Sequence, residues 1–168
     1  MAKSSNSITF LIISIILAIW LSPFILLGVF VYLGYRIYKG ILKKRIWQRV
    51  KNEWFPKGKH TLFLYSSSKK WQRYFEQSLI PKIKGKTMVW NWSTRYEYGW
   101  RDDLLEAKIL RFFRPSGCFY PMAIVFSPDG TIRTFQFYVP YIKMLKSQNQ
   151  NQDYQKLEKD FLAFLDSL

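Results

Sequence analysis

Cys118 is the one cysteine of this chain and His60 its one histidine. A lone thiol acts as a nucleophile where its thiolate is favoured, and a lone imidazole can move a proton near neutral pH. Together they build little more. One sulfur excludes an intramolecular disulfide, a cysteine-rich zinc site and a Cys-x-x-Cys redox pair, and one imidazole excludes a His-x-x-x-His metal helix. No cofactor and no metal is therefore expected. His60 has no acidic or cysteine neighbour close in sequence, so a solvated side chain is its plain reading. Asp102, Asp103 and Glu106 form a carboxylate cluster, but the first two suit the start of a helix and the third its solvent face. The run Ser66-Ser67-Ser68 offers hydroxyls either as helix caps or, with Cys118, as weak catalytic candidates.

Aromatic and basic side chains are more distinctive. Aromatics make up 19% of the 168 residues, and Trp90, Trp92, Tyr96, Tyr98 and Trp100 crowd one short stretch with Arg95 and Arg101 between them. Trp92, Arg95, Tyr96, Tyr98, Trp100 and Arg101 are thus candidates for a partner-docking surface, the alternative being core filling. Lys and Arg number 26 against 11 acids, a formal +15. The excess is local: sixteen bases face only Glu53 and Glu76 between Arg36 and Arg95, whereas residues 96–168 are neutral.

The first element that must position these groups is a membrane segment. No charge occurs between Ser4 and Tyr35, and Ile8–Tyr35 is almost continuously apolar. A hydrocarbon core of about 30 Å needs about 20 helical residues, so residues 1–35 read as a tail and one transmembrane helix, with Pro23 as the expected kink. Its length and the missing small-residue cleavage site argue for an uncleaved anchor. Arg36, Lys39, Lys43, Lys44, Arg45 and Arg49 follow it closely, and the positive-inside rule then places the N-terminus outside and the bulk in the cytoplasm (at the inner membrane in a bacterium). Residues 36–56 also carry Ile37, Ile41, Ile46, Val50 and Trp54 at helical spacing. That pattern predicts a basic amphipathic helix at the headgroup level of an anionic leaflet, with Trp47 and Trp54 as interfacial aromatics. Nucleic acid is a second possible partner for such a stretch.

Residues 57–168 read as a soluble domain. Thr61–Tyr65 is a strand, Lys69–Leu79 a helix, and Thr87–Trp92 a second strand. A helix follows from Asp102-Asp103 to about Phe113. Two strands, 121–126 and 131–139, flank Ser127-Pro-Asp-Gly130, a hairpin signal, with Pro140 ending the second. A helix over about 152–168 closes the domain. The fold class is α/β: one N-terminal transmembrane helix, then a βαβαββα domain with a mixed four-stranded sheet and flanking helices.

That order of elements resembles the thioredoxin fold over roughly Thr61–Leu168. The closest local likeness is Cys118-Phe-Tyr-Pro121-Met-Ala-Ile-Val-Phe-Ser-Pro-Asp-Gly130-Thr-Ile. It is similar to the family's segment in which a cis-proline opens a strand that turns at a glycine. The resemblance implies a cis Tyr120–Pro121 bond beside the family's active site. The family's redox pair would lie between the first strand and first helix, where this chain has Ser66-Ser67-Ser68-Lys69. Thiol–disulfide exchange needs two sulfurs, so oxidoreductase activity is not expected. The expectation is a non-catalytic, membrane-anchored thioredoxin-like protein that holds a protein partner as an accessory or assembly component of a membrane complex. The alternatives are a thiol- or glutathione-dependent enzyme using Cys118 or a Ser66–Ser68 hydroxyl near Pro121, and a nucleic-acid-binding membrane tether.

Overall fold

A computed structural model describes the backbone of residues 3–96, 104–146 and 151–168, and the side chains of 20–94, 104–146 and 152–168. Helix α1 covers Lys3–Glu53 with Pro23 inside it and no break at Arg36. The chain divides into two units, Met1–Leu42 and Lys43–Leu168. In the first unit every side chain from Trp20 to Ile41 is exposed, among them Trp20 at 73%, Phe24 at 69% and Phe30 at 70%. Among the described residues this is the one helix long and apolar enough to cross a membrane.

The second unit is built on a mixed four-stranded sheet. Its strands are β1 (Thr61–Tyr65), β2 (Thr87–Asn91), β3 (Met122–Phe126) and β4 (Ile132–Gln136), in the order β2-β1-β3-β4. β1 pairs parallel with β2 and antiparallel with β3, and β3 pairs antiparallel with β4. The predicted hairpin forms. Gly130 turns the chain at φ 90°, and the Asp129 carboxylate accepts from the Thr131 amide and hydroxyl at 2.9 and 2.8 Å. Those bonds hold the Asp129 carboxyl below its usual range.

Alternation along the strands sorts the core into two layers. Leu62, Leu64, Met122, Ile124 and Phe126 face one side, where Ile46 and Val50 of α1, Trp54 just after it, and Leu105, Ile109 and Leu110 of α4 (Leu105–Phe113) cover them. Phe63, Tyr65, Ala123 and Val125 face the other side. Over them lie Phe75, Leu79 and Ile83 of a helix formed by α2 (Gln72–Tyr74), a π turn (Phe75–Leu79) and α3 (Ile80–Ile83). Tyr141 of α5 (Tyr138–Lys146) and Tyr154, Phe161 and Leu165 of α6 (Asn151–Asp166) complete that layer.

Several elements differ from the sequence reading. Trp54 is 3% exposed and Trp47 packs against Phe55 and Phe126 at 5.8 and 5.6 Å, so neither is the interfacial aromatic expected. The stripe continued through Ile46, Val50 and Trp54 is core: an apolar helical face cannot say whether lipid or protein covers it. The helix expected from Lys69 starts at Gln72, without a side-chain cap, and passes through Pro81. The π turn just upstream widens the helix where the proline would otherwise clash and lacks a donor. α4 begins at Leu105, also without a side-chain cap; Asp102 and Asp103 lie outside the described residues. β4 stops at Gln136, and α5, absent from the sequence reading, carries Pro140 in its first turn, where a missing N–H costs nothing.

Candidate functional site

The segment after β1 is set by hydroxyl and amide bonds. Asn91, at the end of β2, donates from Nδ2 to Ser67 Oγ at 2.8 Å and accepts at Oδ1 from the Ser93 amide at 3.0 Å. Ser93 Oγ in turn accepts from the Ser67 amide at 2.9 Å. The Ser68 carbonyl receives the amides of Trp71 and Gln72 at 3.1 and 2.9 Å. Ser67 therefore fastens the β1 exit to the β2 exit, while Ser68 Oγ accepts from the Lys70 amide at 3.4 Å and caps no helix. Tyr65 donates to Glu76 Oε1 at 2.9 Å, and burial together with that carboxylate pushes its phenol up to about 12.

Pro121 opens β3 after a cis Tyr120–Pro121 peptide, and its carbonyl accepts from the Phe137 amide at 3.0 Å. Cys118 is 6% exposed and accepts at Sγ from Gln136 Nε2 at 2.7 Å. Burial pushes its thiol up, opposed by the Arg114 guanidinium. A protonated, buried thiol is a poor nucleophile.

Strand register decides whether these groups meet. Trp90, Leu64, Met122 and Gln136 form one row across the sheet, and their face is the one that holds Cys118. Asn91 pairs with Tyr65 one residue further on, so it points to the opposite face. Asn91 and Gln136 also belong to opposite edges of the sheet, three strand spacings or about 14 Å apart. Ser67 and Cys118 are thus tied to opposite faces and opposite edges. The arrangement does not bring the Ser67 hydroxyl and the thiol to one reacting atom.

Of the aromatic docking candidates, Trp92 is partly buried against the first core layer. It meets Trp90 edge-on at 5.3 Å and stacks on Tyr120 at 5.6 Å with an interplanar angle of 26°. These two ring contacts hold the indole in place. The side chains of Arg95 and Tyr96, and all of Tyr98, Trp100 and Arg101, lie outside the described residues. Arg36, Lys39, Lys43, Lys44, Arg45 and Arg49 are all exposed. Lys39 sits 5.5 Å over the Tyr35 ring, Lys43 lies 5.5 Å from the Phe113 ring, and Arg49 pairs with Glu53 at 2.7 Å.

His60 is not the solvated side chain expected. It lies against Phe55 at 4.5 Å with Nδ1 buried, and burial together with Lys86 lowers its pKa. Asn91, Ser93 and Gln136 were not singled out from sequence. Asn91 is marked in the sequence only as the polar residue that follows the apolar run Met88–Trp90, and Ser93 and Gln136 carry no local signal. A tyrosine cluster was also missed. Tyr74, Tyr141 and Tyr154 lie 5.2–5.7 Å apart, and Tyr74 donates to Glu158 at 3.3 Å. Among the described residues no group of His, Cys, Asp and Glu could hold a metal. Comparisons with protein families, with curated proteins and with solved structures find no match to this chain.

Proposed function

We propose that this chain is a membrane-anchored thioredoxin-like protein that holds a protein partner and carries out no thiol chemistry. The observation that carries the reading is the exit of β1. Where the resemblance would put a redox pair, Ser67, Asn91 and Ser93 close a ring of hydrogen bonds, while the one thiol lies on the other face of the sheet. The strand order β2-β1-β3-β4 and the helices on both faces support the thioredoxin-like assignment. The uncharged, exposed stretch from Trp20 to Tyr35 supports an anchor, since a helix apolar all round needs lipid or protein about it. Six exposed bases beyond it favour an anionic, cytoplasmic leaflet.

The docking surface is assigned to Trp92, Arg95, Tyr96, Tyr98, Trp100 and Arg101. Affinity purification of the full chain in mild detergent tests it. The expected result is one stoichiometric protein partner, reduced at least tenfold by Trp100→Ala and retained by Arg133→Ala. Equal recovery from both variants, or no stoichiometric partner, overturns the assignment. A thiol-dependent turnover lost in both Cys118→Ala and Ser66→Ala would replace the proposal with the enzyme reading.

A further inference from the structure

A cleft of about 500 Å³ lies beside α4, within the range of small-molecule sites. Ala107, buried Leu110 and the Trp92 indole, which packs on Trp90 and Tyr120, line it. Arg111, which also lies 5.9 Å from the Phe112 ring, and Arg114, three residues on, line it with Pro115 and Ser116. Among the described residues no acidic side chain lines the cleft, and neither arginine is in an ion pair. Arginines near a helix C-terminus also offset its carbonyl ends. That explains their charge, but not the cleft they line or the indole that lines it with them.

We propose that this cleft binds a small organic anion: a carboxylate or phosphate monoester carried on a planar apolar body. The parts divide the recognition between them. Two planar guanidinium forks match a carboxylate or phosphate in paired hydrogen bonds, and Ser116 adds a hydroxyl donor. The indole and Leu110 cover the planar body, where stacking and removal of apolar surface from water supply the remaining affinity. The site shares Trp92 with the proposed docking surface, but binding of a small anion needs no partner. It stands or falls on ligand binding to the chain alone.

The test uses the full chain in nanodiscs of phosphatidylcholine, which adds no net lipid charge. Equilibrium dialysis with 1-naphthyl phosphate and with 2-naphthoate distinguishes a phosphate from a carboxylate preference; 2-naphthamide is the neutral control. Saturable binding of at least one anion is expected, with the amide bound at least tenfold more weakly. The double variant Arg111→Ala/Arg114→Ala should lose at least tenfold in affinity, whereas Arg133→Ala, on β4, should bind as the parent. Trp92→Leu should weaken each anion that the parent binds, with its circular dichroism unchanged. No saturable binding, equal binding of the amide, or undiminished binding by the double variant would overturn the site.

Discussion

β3 and the stretch of α1 from Trp20 to Ile41 are both strongly apolar, yet they meet opposite surroundings. All five side chains of β3 are fully buried, because it is an inner strand with helices over both faces. No side chain from Trp20 to Ile41 is buried. Residue type is shared; what differs is whether this chain supplies the covering layer. Burial inside a unit is therefore a property of topology. An apolar run that its own chain leaves bare points to a different solvent.

Truncation should separate the two regions most sharply. Phe63→Ala, in the second core layer, should destabilise the Lys43–Leu168 unit by about 3–5 kcal/mol in denaturant unfolding, whereas Phe30→Ala should leave that transition in place. Equal losses would erase the contrast. The same comparison can be made between α1 and the residue that follows it. Trp54→Ala should cost about 3 kcal/mol or more, and Tyr38→Ala less than about 0.5 kcal/mol, by thermal melting in detergent. A harmless Trp54→Ala would return that residue to the interface.

Thiol labelling sharpens the contrast within the sheet. A cysteine placed at exposed position 67 by Ser67→Cys should alkylate at pH 7 at least tenfold faster than Cys118, and mild oxidation should form no bond between the two. An intramolecular disulfide would show that the two faces communicate. His60 gives a smaller, pH-dependent effect. Its native pKa lies below its unfolded value of 6.5, so the unfolded chain binds the proton first as pH falls. Its contribution is complete above pH 6.5 and declines below it. Urea titrations from pH 7.5 to 5 should show that decline in the parent and a shallower one in His60→Gln. The smallest effect is expected at the surface. Lys82→Ala removes a 2.8 Å pair with Glu158 but should change stability by less than about 1 kcal/mol, since the lysine is half exposed.

The strands were legible because β1, β2 and β3 are short apolar runs bounded by Ser, Gly and Pro, and Ser127–Gly130 has the residues its turn requires. Helix limits were less so. The helix read as Lys69–Leu79 continues after a π turn through Pro81, and Pro140, read as a strand end, sits in a first turn; neither context is visible locally. The charge of 36–54 was legible, but the destination of Ile46, Val50 and Trp54 was not, because periodicity gives a face and not what covers it. At the candidate site the missing thiol pair was plain. The separation of Ser67 from Cys118 required the register, since one residue along a strand changes the face.

Alkaline carbonate extraction of membranes from cells expressing the full chain tests the tether most directly. With α1 embedded, the protein should stay wholly in the pellet, and replacing Phe24, Leu27 and Phe30 by lysine should move it to the supernatant. Release of the parent chain by carbonate would contradict the account.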